Sequence, residues 1–410
     1  MALRTKDTIR TFGAASVMGL FPERPHVLAL GEPTHDDGTL LRARDDLLRG
    51  LVEEGYRTIA LESDCLRGMV VDEYVTWGHG RFDDVMERGF SHGFGSYEGN
   101  RELVRWMRDR NMGLPEERRV RFAGFDGPLE ISGAESPRQA LCALYDHLAE
   151  RLGEDLLPCT AERLDDLLGS DGPWADQQAM ADPSRSVGRT PQARDLRWIA
   201  DDLVALLDAQ RPYLLEATSP AEVERAEVYG RTAVGLLRYH HWLADTSPAR
   251  ITRLLGVRDQ MMAHHLTALA ERGPVLVHAH NSHLQRERSS MRMWQGLTEW
   301  WSAGSLLASR WGRGYGFVPM ALGTMRHHGV AEPVPGSVEG ELYALGEERC
   351  VVDARGLARA LGGKEVEQRE SAWFGYAPLD PAHLADADGL VFVREAAPSG
   401  AADGGGTTKG

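Results

Sequence analysis

Gly31-Glu32-Pro33-Thr34-His35 and His278-Ala279-His280-Asn281-Ser282-His283 are the two stretches on which the reading of this 410-residue chain turns. Each follows directly on a compact apolar run, Val27-Leu28-Ala29-Leu30 in the first case and Val275-Leu276-Val277 in the second. Short runs rich in Val and Leu and bounded by Pro and Gly read as buried strands. If both belong to one parallel sheet, their carboxyl ends open onto the crevice where open α/β sheets bind ligands. Glutamate and histidine side chains would then converge there, which is the material of an acid–base site.

Working outward, the Val27–Gly31 strand leads into a helix whose apolar residues Leu40, Leu41, Leu47, Leu48, Leu51 and Val52 recur at near-helical spacing. Gly55 ends it, and Thr58-Ile59-Ala60-Leu61-Glu62 reads as the next strand. So short a strand–helix–strand unit implies a parallel pair, with Glu32 and Glu62 at neighbouring strand ends. Residues 70–112 read as mainly helical, and Val120–Phe125 as a third strand that finishes at Asp126. From about 137 to 270, Leu and Ala recur at helical period in 138–152, 194–209, 221–244 and 247–271, around a Pro/Ser/Asp/Gly-rich loop at 169–192. That region reads as a helical insertion forming one side of the cleft. The sheet resumes at Val275–Ala279, continues through Gly316–Leu322 and ends with Gly389–Val393. The expectation is an α/β fold, a mainly parallel sheet flanked by helices, with one domain over 25–395. An N-terminal segment (1–24) precedes it, and an Ala/Gly/Ser/Thr-rich tail (396–410) reads as disordered.

A hydrophobic fraction of 42% and a charged fraction of 26% are those of a soluble globular protein. A net charge of −15 argues against nucleic acid or an anionic membrane as partner. There is no signal-peptide pattern and no 18-residue apolar run. Cys65, Cys142, Cys159 and Cys350 lack CxxC spacing and read as reduced thiols of a cytoplasmic protein.

Glu32 and His35 stand at the entry to a helix, where a carboxylate can tune a partly buried imidazole as a general base. Glu62 adds a second carboxylate, and two would repel unless positive charge lies between them. Arg44 on the connecting helix is one candidate, with an ordinary solvated arginine as the plain alternative; the histidines are others. Asp126 has the same strand-end placement, although a turn-forming Asp explains it equally well. His280 and His283 would share a face in a helical first turn. Near two glutamates they read either as metal ligands, together with Glu32, His35 and Glu62, or as metal-free groups that bind substrate and stabilise an oxyanion. His278 is a possible third member, at a parity that can point into the core. No G-x-S-x-G elbow is present, so a serine nucleophile is not expected.

In these motifs the chain resembles the erythromycin esterase family, whose members carry G-E-x-x-H after a first strand, a glutamate ending the next, and A-H-N-x-H far downstream. Asn100, Glu102, Trp106, Arg108 and Asn111 resemble the family's N-x-E…W-x-R-x-x-N helix, Arg258-Asp259-Gln260-Met261-Met262-Ala263 its R-D-x-x-M-A helix, and Asp388–Val393 its closing strand. The resemblance implies hydrolysis of a macrolide lactone by activated water, with no covalent intermediate and no cofactor. Carried over by position, it makes His35 the general base, Glu32 and Glu62 its tuning carboxylates, and His280, His283 and Arg44 the groups that hold substrate and oxyanion. Asp126 and His278 are further substrate-side candidates. The departures are Pro33, Asp36, His278 in place of tryptophan, His265 in place of asparagine, and a 92–99 segment without the usual aromatic and arginine cluster. They leave the substrate open: a bulky lactone or ester metabolite. Rival readings are a tailoring enzyme performing elimination, cyclisation or acyl transfer, a metal-dependent hydrolase, and a non-catalytic binder of a hydrophobic metabolite.

Overall fold

A computed structural model describes residues 6–397 apart from 36, 131–132, 294–295, 363–365, 372 and 374. Among the described residues thirteen strands are formed: β1 (Ile9–Thr11), β2 (Val27–Glu32), β3 (Thr58–Asp64), β4 (Arg121–Asp126), β5 (Leu129–Glu130), β6 (Gly133–Ala134), β7 (Val275–His280), β8 (Arg288–Met293), β9 (Gly296–Trp301), β10 (Tyr315–Val318), β11 (Met320–Thr324), β12 (Arg349–Val352) and β13 (Leu390–Glu395). The central sheet is wholly parallel and runs in the order β10-β2-β7-β3-β4. All six residues of β2 are buried, as befits a parallel strand covered on both faces.

Side chains alternate between two cores. Leu28, Leu30, Ile59, Leu61 and Leu276 point to the face covered by the Gly38–Glu53 and Glu98–Asn111 helices. Val27, Ala29, Ala60, Val275 and Val277 point to the other, against Met262 and Leu266 of the Arg250–Ala270 helix. Asp37 starts the Gly38–Glu53 helix by accepting from the Thr39 and Leu40 amides at 2.9 Å each, which anchors the motif loop just before it.

Three expectations are corrected. β2 and β3 are not neighbours: β7 lies between them, with His278 in register with Leu30 on one side and Leu61 on the other. A short crossover permits a vacant place in the sheet, which the distant strand fills. The Gly316–Leu322 run is two strands, because Pro319 has no amide to give a ladder. β10 stays in the parallel sheet, whereas β11 joins a second sheet of order β1-β12-β13-β11. The closing strand β13 therefore belongs to that second, mixed sheet, parallel to β11 and antiparallel to β12.

The 137–270 region contains five α-helices, Arg138–Ala149, Ala161–Leu168, Pro191–Ala217, Pro220–Leu243 and Arg250–Ala270, packed through a core of their own. The tail begins in place, since Ala396 N–H donates to Thr324 O and Ala397 N–H to Thr39 Oγ1; residues 398–410 lie outside the described residues. All four cysteines are free thiols. Among the described residues, no helix is long and apolar enough to cross a membrane.

Candidate active site

The carboxyl ends of β2, β7 and β3 bring Glu32, His278, His280 and Glu62 together. Glu32 lies between two imidazoles: its Oε1 accepts a hydrogen bond from His35 Nδ1 at 2.8 Å, and its Oε2 lies at ion-pair distance, 3.1 Å, from His278 Nε2. His278 also donates through Nδ1 to Leu30 O at 3.0 Å, so it braces the carboxylate from within the sheet. Burial alone would push the Glu32 carboxyl upward, but the charges and hydrogen bonds of His278 and His35 outweigh it and hold the carboxyl well below its usual range. The reverse holds for His35. Burial disfavours its charged form, yet the hydrogen bond it donates to Glu32 and the charges of Glu62 and Glu32 raise it to about 9. Asp36, the extra carboxylate beside it, lies outside the described residues.

Glu62 occupies the opposite side of β7. Its Oε2 accepts the His280 backbone N–H at 2.8 Å, while its Oε1 lies 3.3 Å from both His283 Nε2 and Arg258 Nη2. Despite burial, His283, His35 and Arg258 lower it to about 2. His283 Nδ1 is 2.7 Å from Asp259 Oδ1, and burial is outweighed by Asp259 and Glu62, which raise its affinity for a proton. His280 behaves differently. Burial and the charge of His35 lower it to about 4. Its Nδ1 accepts the Ser282 backbone N–H at 3.2 Å and lies 2.7 Å from Ser282 Oγ. The neutral ring therefore carries its proton on Nε2 and acts as a donor there. The His280 and His35 rings are 5.5 Å apart.

Arg44 is not solvated; it is 1% exposed, donating to Asp45 at 2.8 Å and to Asn100 at 2.7 Å. It lines a pocket of about 280 Å³ with Glu32, Glu62, His278, Asn100 and Tyr97. Asp126 is fully buried beneath the site, held by Arg258 at 2.6 Å and by His92 at 3.4 Å. The positive charge beside Glu62 thus comes from Arg258 rather than Arg44. A cleft of about 860 Å³ opens beside His280, lined by Gln285, Arg286, Phe317, Leu379 and His383. Its outer wall is the 377–387 segment, which the sequence reading did not place there. The 92–99 segment does supply aromatics: the Phe94 ring lies 5.2 Å from His35, and Tyr97 lines the inner pocket.

Arg258, Asp259, Trp300 and Asn281 were not singled out from the residues themselves. The signal for the first two was an Arg-Asp pair inside the otherwise amphipathic 250–270 helix; buried at 0% exposure, Asp259 needs partners. Asn281 explains a feature of the first motif. A Cβ on Gly31 would come within 2.1 Å of Asn281 Oδ1, so the two motifs are sterically matched. Among the described residues, no three His, Cys, Asp or Glu side chains are arranged to hold a metal ion. The HxxH rings instead diverge, His280 to Ser282 and His283 to Asp259 and Glu62.

Fold and site together define an α/β protein whose parallel strands end on a buried cluster of carboxylates and imidazoles. The family model for erythromycin esterase matches residues 51–396, and the chain belongs to that family. The matched stretch includes Glu62, His280 and His283 and begins after Glu32, His35 and Arg44. An esterase-type hydrolase is accordingly its general activity class. Similar solved structures include a Bacillus cereus protein (18% identity, 97% of each chain covered, TM-score 0.71) and a succinoglycan biosynthesis protein (15%, 97% of each chain, TM-score 0.68). A histidine mutant of the erythromycin esterase EreC in its open conformation is also similar, at 18% identity over 92% of this chain and 93% of that one, with TM-score 0.65. No curated protein matches.

Proposed function

We propose that the protein hydrolyses a carboxylic ester or lactone of a bulky metabolite by water activated at His35, without a covalent enzyme intermediate. The observation that carries this reading is the Glu32–His35 pair beside a neutral, donor-bearing His280. With Nδ1 held by Glu32, His35 presents Nε2 to a water. The water oxygen bonds to the carbonyl carbon as its proton passes to Nε2. The carbonyl oxygen becomes an oxyanion, and His280 Nε2–H is the donor assigned to it. Collapse breaks the ester C–O bond, and the proton on His35 goes to the departing alkoxide. Glu32 and Glu62 hold the positive charge that this cycle creates. Arg44, His278 and Asp126, buried and engaged by other side chains, support the site from behind.

Oxygen-18 water separates this reaction from elimination or cyclisation. Turnover of a panel of lactones and esters in labelled water should place one label in the product carboxylate. Product formation without label would refute hydrolysis, and affinity with no product would show a binder.

A further inference from the structure

We infer that Arg258 and Asp259, consecutive residues of the Arg250–Ala270 helix, are positioning residues that fix the orientation and charge of Glu62 and His283. Neighbouring residues on a helix point in different directions. From this helix Arg258 reaches Glu62 and Asp126 while Asp259 reaches His283. An alternating row results: Asp259, His283, Glu62, Arg258, Asp126, His92. Its successive contacts are 2.7, 3.3, 3.3, 2.6 and 3.4 Å.

Three observations give the row this role. His283 meets a carboxylate at each ring nitrogen, and a neutral imidazole has only one N–H, so both are satisfied only when the ring carries two protons. Asp259 has no freedom to turn away, because its other oxygen accepts the Trp300 indole N–H. Charge balance agrees. Three buried carboxylates against one arginine leave an excess of two negative charges, and protonating His283 and His92 removes it. The remaining groups acting on His283 are His280 on its own segment and Arg258, and both oppose its charge. Burial opposes the charged ring, whereas Asp259 and Glu62 favour it. Neither Arg258 nor Asp259 is assigned a contact with substrate. Their effect on catalysis passes through the two groups they hold, and only this kinetic consequence rests on the hydrolytic reading.

The test uses full-length protein with ¹⁵N-labelled histidine, His283 being assigned by the signal lost in His283→Asn. In the parent protein both His283 ring nitrogens should be protonated at about pH 7.5. Asp259→Asn should lower its titration midpoint by about one pH unit or more and reduce kcat on 4-nitrophenyl acetate about 100-fold, with KM little changed. Trp300→Phe removes the donor that competes for Asp259, so the midpoint should hold or rise. A neutral His283 in the parent protein, or an unmoved midpoint in Asp259→Asn, would overturn the inference. If the nitrogen signals behave as expected while no ester is turned over, the positioning row stands and the hydrolytic reading fails.

Discussion

Glu32 holds one imidazole with each oxygen, and that double engagement sets the charge of the site. Removing it should release His35 toward its ordinary range. Glu32→Gln is expected to move the ascending limb of kcat/KM against pH down by at least about one unit and to cut the plateau about 10- to 100-fold; a pH–rate series checks both. Arg258 is the other residue whose loss should be felt throughout. Its removal strands Glu62 and fully buried Asp126 without their cation, and breaking a buried pair from one side costs about 3–5 kcal/mol. Arg258→Met should therefore lower unfolding free energy by that order in denaturant titration. Much at this scale was legible beforehand: Glu32, His35, Glu62, His280 and His283 were marked by position at the ends of apolar runs. The cation was not, because Arg44 and Arg258 look alike in sequence and only packing sends Arg44 to Asp45 and Asn100.

Between elements, strand β7 matters most. It enters the gap between β2 and β3, parts the two glutamates, and brings His278 to Glu32 and, from the turn that follows it, His283 to Glu62. The local pattern of a strand–helix–strand unit contains no trace of a third strand arriving from more than two hundred residues away, so adjacency was the natural but mistaken expectation. The Pro319 break was written in the chain, yet a proline inside an apolar run marks an interruption without saying which sheet each half joins. Gly31 links the two motifs. Gly31→Ala would force Asn281 from its 3.0 Å donation to Met320 O, and with it the start of the Asn281–Leu284 turn that carries His283. Activity should fall at least about 100-fold with far-ultraviolet circular dichroism unchanged, a contrast that separates a displaced site from a failed fold.

Across the whole molecule, stability and activity should favour different pH. His35, raised from 6.5 to about 9, contributes stability that is fully present below 6.5 and is lost as pH rises through 9. Glu62, lowered from 4.5 to about 2, contributes stability present above 4.5 and lost as pH falls through 2. For these two groups both terms are complete between about pH 5 and 6.5, where Tm should be highest. Catalysis by an unprotonated His35 instead grows toward pH 9, since at pH 7 only about 1 ring in 100 is in the base form. His280, neutral above about 4, adds no second limb in that range. The most direct measurement is therefore kcat/KM for an ester or lactone from pH 5 to 10, in the parent protein and in folded His35→Ala. The account predicts a rise of about tenfold per pH unit that levels near 9, and no turnover in the variant. A flat or falling profile, or full activity without His35, would contradict it.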